Sequence, residues 1–199
     1  MIDIPCIILC GGRSSRMGED KSLLPFGNSQ TLIEFQYNKL SKIFKNVYIS
    51  SKTNKFNFSN ITNNSNIILD NNSNLSSPMV ALQSIFEKLS NEKIFIITVD
   101  VPLVEKDTIE TLIKNCNNFD VTIAVDDDRR HNLCGVFNKS IIKQIDKLIL
   151  NDIHKINYLI KQTENYKEIY FENKEQFINL NTNTDYNNAL KISNSYIKY

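Results

Sequence analysis

Leu9-Cys10-Gly11-Gly12-Arg13-Ser14-Ser15-Arg16-Met17-Gly18-Glu19-Asp20-Lys21 follows the apolar run Cys6-Ile7-Ile8-Leu9 and precedes a segment of helical periodicity. A short apolar run that ends at glycines has the character of a strand buried on both faces. Two adjacent glycines at its carboxyl end let the backbone approach a ligand and expose N–H groups. Arg13, Arg16 and Lys21 then bring three cations into one short loop. Such a loop is suited to a polyphosphate. It is not a P-loop, because no Gly-Lys-Ser/Thr follows at the required spacing, and it lacks the Gly-x-Gly-x-x-Gly of dinucleotide sites.

Outward from this loop, apolar runs alternate with helix-like segments, the pattern of an α/β domain with a mainly parallel sheet. Strands are predicted at 6–9, 47–49, 67–69, 94–99, 121–125, 135–137 and 177–180, and helices at 31–44, 77–89, 107–114, 140–149, 153–162 and 185–192. Asn151-Asp152 marks a break between the fourth and fifth helices. The polar stretch 54–66 is expected to be a loop on the nucleotide side. No repeat or linker interrupts the chain, so residues 1–199 are expected to form one domain.

A length of 199 residues with 41% hydrophobic content supports a single sizeable core. The net charge of +1 provides no global basic field, which disfavours nucleic acid as a bulk partner. No apolar run approaches the length of a membrane span. The N-terminus leads almost at once into the first strand, without a signal-peptide pattern, and a cytoplasmic location is expected. Cys6, Cys10, Cys116 and Cys134 form no Cys-x-x-Cys pair and are expected to be buried, reduced thiols.

Two predicted strands end in carboxylates. Ile94–Val99 leads into Asp100-Val101-Pro102. A strand so apolar is not expected to end in an unpartnered carboxylate; at a sheet's carboxyl edge the partner can be a metal ion carrying water and phosphate oxygens. Pro102 ends the strand and fixes where Asp100 points. Ile67-Ile68-Leu69 leads into Asp70, which reads either as a ligand contact or as a turn residue before Asn71-Asn72. Asp126-Asp127-Asp128 is expected to be a solvated loop, and His154 to sit on a helix surface.

The opening segment resembles the nucleotidyltransferases that begin Leu-x-Gly-Gly-x-x-x-Arg-Met-Gly-x-x-Lys, and among them the molybdenum cofactor guanylyltransferases (MobA-type). Gly11, Gly12, Arg16, Met17, Gly18, Asp20 and Lys21 fit that pattern. The resemblance implies a Rossmann-like three-layer domain of the nucleotide-diphospho-sugar transferase type. Residues about 1–105 would bind the nucleotide and about 106–199 the acceptor. It implies transfer of GMP from GTP to molybdenum-molybdopterin, with Mg²⁺ as cofactor and Arg16, Lys21 and Asp100 as catalytic residues. Leu9, Cys10, Gly11 and Gly12 would meet the base and ribose through backbone groups. Asp100 would hold the metal, and Asp70 the guanine edge.

Ser50 occupies a position where relatives usually carry a nucleotide-contacting Asn, and Ala81 one where they carry Gly. These departures keep a CTP-dependent cytidylyltransferase as the alternative, acting on molybdopterin, an isoprenoid precursor or a sugar phosphate. On the acceptor side the resemblance points to Arg130 and His131, the latter equally readable as a structural histidine. It also points to Asn179 and Asn181 in Asn-x-Asn-Thr, read as two amides on one face of a strand; Thr182 reads also as a helix cap. Transient contact with cofactor-delivery or molybdoenzyme partners is a further implication.

Overall fold

The alternation of the first strand divides the molecule into layers. In β1 (Cys6–Leu9), Cys6 and Ile8 enter one apolar cluster, while Ile7 and Leu9 enter a second on the opposite face. Both faces are covered, which is why the run is continuously apolar. The computed structural model describes residues 1–11, 20–56, 66–71 and 77–196. After β1 come α1 (Leu32–Leu40), β2 (Val47–Ser51), β3 (Ile67–Leu69), α2 (Pro78–Lys88), β4 (Lys93–Thr98) and α3 (Lys106–Lys114). The second half contributes β5 (Val121–Val125), β6 (Arg130–Asn138), α4 (Ile142–Leu150), α5 (Ile156–Gln162), β7 (Tyr166–Tyr170) and α6 (Asn183–Tyr196).

The sheet has the order β3-β2-β1-β4-β6-β5-β7. Only β6 runs against its neighbours; the other pairings are parallel. The cluster containing Cys6 and Ile8 takes Leu32 and Leu40 of α1, Ile109 of α3 and Ala189 of α6. The other takes Phe86 of α2, Ile145 of α4 and Leu159 of α5. The result is the expected three-layer α/β domain. Among the described residues no helix is long and apolar enough to cross a membrane.

Helix starts agree with their side chains. Thr31 accepts from the Glu34 N–H at 3.2 Å, and Ser77 accepts from the Met79 N–H at 3.1 Å, with Pro78 in the first helical position. Asp152 supplies the break before α5 in a left-handed conformation, φ 57°. His154 lies in the loop ahead of α5, paired with Asp152 at 2.9 Å, and not on a helix as expected.

Residues 177–180 are not a strand. A 3-10 turn at Lys174–Phe177 leads into irregular chain, and the seventh strand is Tyr166–Tyr170. The reason lies in burial: β7 is an edge strand, half exposed along its length, so it carries Lys167 and Glu168 and no apolar run. The strand expected at 135–137 extends back to Arg130 through a bulge. Ile123 pairs with Gly135 but Ala124 pairs with His131, leaving Asn132, Leu133 and Cys134 outside that ladder.

All four cysteines are free, buried thiols. Burial pushes Cys134 up to about 12, with Lys39 opposing, and raises Cys6 and Cys10 well above the ordinary range. These groups therefore stabilise the fold fully below the unfolded thiol value near 9 and lose that contribution as pH rises above it. Lys39 runs the other way: burial lowers it to about 8, so it adds stability from pH 8 towards 10.5 and offsets one thiol. Urea melts from pH 8.5 to 11 are expected to show stability falling by about 1.4 kcal/mol per pH unit for each uncompensated thiol. A flat profile would contradict this.

Candidate active site

Strand β1 pairs with β2 on one side and β4 on the other, so the order of connection reverses between β1 and β4. Ligands of open α/β sheets bind at such a reversal, outside the carboxyl ends of the strands. Leu9 of β1 stands opposite Thr98 of β4, and the chain continues from them to Gly11 and Asp100. A cavity of about 340 Å³ opens there. It brings together Gly11, Asp100, Arg130, His131 and Asn179 from opposite halves of the chain.

Asp100 is held on two sides. The Thr98 hydroxyl donates to its Oδ1 at 2.6 Å, and the Leu180 N–H donates to its backbone carbonyl at 2.9 Å. The segment after Phe177 thus crosses the end of β4. Lys21 Nζ then donates to Asn181 Oδ1 at 3.1 Å. Asn179 and Asn181 do not alternate along a strand; a tight turn relates them, with the Asn181 N–H donating to the Asn179 carbonyl at 2.8 Å. Asn181 therefore touches Lys21, the lysine expected to hold phosphate. Asn181→Ala is expected to weaken GTP binding, by up to about ten-fold, because Lys21 loses the acceptor that fixes its direction. Calorimetry returning wild-type affinity would refute that coupling.

Arg16 and Gly12 lie outside the described residues. Asp20 begins the 3-10 turn that carries Lys21, accepting the Ser22 N–H at 3.1 Å and the Ser22 hydroxyl at 2.6 Å. Burial pushes its carboxyl up, but the Lys55 ion pair and the Ser22 bonds outweigh this and hold it below the ordinary value. Lys55 escaped the sequence reading, since one lysine in a polar stretch carries no signal of its own.

The residues expected to contact the nucleotide, Leu9, Cys10 and Ser50, lie at the carboxyl ends of β1 and β2. The Leu9 carbonyl accepts the Val99 N–H at 3.0 Å, and the Cys10 N–H donates to the Ser50 carbonyl at 2.8 Å. Both bonds continue the parallel pairing of β1 with its neighbours. Ser50 is 2% exposed and turns its hydroxyl onto Asp70 at 3.3 Å. Through that bond it bears on the orientation of the Asp70 carboxylate. Burial raises the half-buried Asp70 carboxyl against the opposing effects of Ser50, Lys52 and Lys88. Asp70 lies beyond β2 and is not part of the cavity wall that holds Asp100.

On the other wall, His131 both lines the cavity and braces it. Its Nε2 meets Asp126 Oδ2 at 2.8 Å, and its ring stacks on Phe177 with centroids 4.0 Å apart. Burial lowers the imidazole below its ordinary range despite Asp126. Asp126 is not solvated as expected: its side chain is 3% exposed and accepts the Asp128 and Arg129 N–H groups as well as His131. Asp127 and Asp128 are exposed. Arg130 pairs through Nε with Glu168 at 2.6 Å, and Arg129 donates to the Phe177 carbonyl at 2.8 Å. The bulge turns this end of β6 towards the cavity.

The chain has relatives among known proteins. Residues 6–166 match the family model of the MobA-like NTP transferase domain. The chain belongs to that family. It is 40% identical to the molybdenum cofactor guanylyltransferase of Campylobacter jejuni subsp. doylei over 92% of this chain and 94% of the relative. It is 33% identical to the enzyme of the same name from Helicobacter pylori, over 96% of this chain and 93% of the relative. Among solved structures, molybdopterin-guanine dinucleotide biosynthesis protein A of Archaeoglobus fulgidus superposes with a TM-score of 0.78 at 18% identity. That match covers 96% of this chain and 100% of the other, and it shows the shared fold.

Proposed function

We propose that the protein transfers GMP from GTP to the terminal phosphate of molybdenum-bearing molybdopterin, releasing pyrophosphate and forming molybdopterin guanine dinucleotide. The observation that carries this reading is the cavity at the β1–β4 reversal. Gly11 and Asp100 enter it from the half proposed to bind the nucleotide, residues about 1–105. Arg130, His131 and Asn179 enter from the half proposed to bind the acceptor, about 106–199. The names of the relatives supply the substrates. A cytoplasmic location accords with the four free thiols.

Magnesium is the cofactor this reading requires. The ion is usually held by one or two carboxylates together with water and substrate phosphates. Among the described residues, Asp100 is the one carboxylate in the cavity lining, and no group of three or more His, Cys, Asp or Glu forms a protein-only cage. That donor set fits a magnesium ion shared with a triphosphate. When bound, it supplies neutralisation of charge on the reacting phosphate. Lys21, and Arg16 from the same loop, hold the remaining phosphate charge. The nucleophile, a phosphate oxygen, is already ionised at neutral pH, so no general base is needed. A neutral His131 fixed against Phe177 suits a wall that positions the acceptor.

Asp70 accepting from the N1–H and amino group of guanine gives a preference that cytosine cannot satisfy. The test is a melting-temperature series with GTP, CTP, ATP and UTP in Mg²⁺, followed by pyrophosphate release with acceptor. A ligand at 100 times its Kd adds about 2.7 kcal/mol, or roughly 5–10 °C for a domain of this size. GTP is expected to give that rise. An equal rise with CTP overturns the guanylyl assignment and favours the cytidylyl one.

A further inference from the structure

The loop bearing Asp100 rests on α1, and the contact is polar. After β4 the chain runs through Val99–Glu105 before α3 begins, with Val99, Val101, Leu103 and Val104 buried. A buried loop must find donors for its carbonyls. Gln36 Nε2 donates to the Thr98 carbonyl at 3.1 Å and to the Val99 carbonyl at 3.2 Å. Lys39 Nζ donates to the Pro102 carbonyl at 2.9 Å and to the Val104 carbonyl at 2.5 Å. Three residues apart on a helix, the two side chains share one face. They grip the chain just before and just after Asp100.

We propose that Gln36 and Lys39 are positioning residues that set the Asp100 carboxylate for its metal and the reacting phosphate. The proposal rests on the nucleotidyltransferase reading. The bonds divide the work. The Thr98 hydroxyl holds the Asp100 carboxylate and the Leu180 N–H holds its carbonyl, while the α1 pair holds the carbonyls on either side. Neither α1 residue lines the cavity, so neither is a catalytic residue. Gln36 is 1% exposed, and burial disfavours the charge on Lys39, opposed by Glu105 at the far end of the loop and by the nearby Cys134. A lysine is a poor choice for stability alone at such a site. It has donors whether charged or neutral and reaches two carbonyls at once, which fixes the curvature of the loop that follows Asp100.

The test measures metal binding apart from turnover, by electron paramagnetic resonance of Mn²⁺ titrated into the full-length protein with GTP. Lys39→Met is expected to weaken Mn²⁺ binding at least ten-fold, the usual effect of losing a residue that orients a metal ligand. It should lower kcat in parallel and leave the metal-free GTP affinity unchanged. Lys39→Arg, which keeps donors for both carbonyls, should restore most of the loss. Gln36→Met removes the other pair of bonds without touching charge, and provides the measurement if Lys39→Met does not fold. Leu112→Ala, in the same apolar cluster but away from the loop, serves as a variant of comparable stability loss.

Mn²⁺ affinity within two-fold of wild type in the folded variants overturns the proposal. So does an equal loss in Leu112→Ala, which would make the effect one of general stability. A wild type that binds no Mn²⁺ with GTP overturns the underlying reading instead, and the positioning role with it.

Discussion

Asp100→Asn is expected to lower kcat for pyrophosphate release by about a thousand-fold, equivalent to about 4 kcal/mol of lost transition-state stabilisation. The melting temperature should stay close to wild type. The amide keeps the volume of the carboxylate and an oxygen to accept the Thr98 hydroxyl, now 2.6 Å from Oδ1. The Leu180 N–H bonds to the backbone carbonyl of residue 100 and is untouched. What disappears is the one carboxylate charge that the described residues place in the cavity lining. Initial rates in Mg²⁺ with saturating GTP and acceptor decide the matter, with calorimetric unfolding as the control. Activity within ten-fold of wild type would remove Asp100 from the mechanism and leave the cavity without a metal ligand.

The largest effect on folding is expected at Gly135. A Cβ built there falls 2.0 Å from the Thr122 carbonyl oxygen and 2.9 Å from Ile123 Cα, both backbone atoms of β5. No rotamer change relieves a contact with backbone, and β5 cannot retreat because β7 is paired along its other edge. Gly135→Ala is expected to cost at least about 4 kcal/mol, a large share of the 5–15 kcal/mol typical of a domain. The residue also closes the bulge that carries His131 and Cys134 to the cavity, so residual folded protein should bind the acceptor poorly. Urea denaturation and soluble yield test the first expectation. A midpoint shift equivalent to less than 1 kcal/mol would show that the two strands can part at no cost.

Fold class, the first strand, the strand-end carboxylate at Asp100 and the helix starts near Thr31 and Ser77 were all legible in the chain itself. Each depends on local chemistry. A strand buried on both faces has to be continuously apolar, and a hydroxyl ahead of an amphipathic run has an unpaired N–H within reach. Edge strand β7 was not legible, because half-exposed residues need no apolar pattern. Nor was the true conformation of 177–181, where an apolar pair beside asparagines imitates a strand.

The site divides in the same way. The sequence alone pointed to the residue types expected near a polyphosphate: glycines, Lys21 and an aspartate ending a buried strand. Only the tertiary structure decided what they touch. It placed Asn181 on Lys21, Ser50 beneath Asp70, Asp126 behind His131, and Gln36 with Lys39 beneath the Asp100 loop. These partners lie up to 160 positions apart in the chain. A polar side chain buried by tertiary packing takes whichever donor or acceptor the fold brings within hydrogen-bond reach, and no local periodicity records that choice.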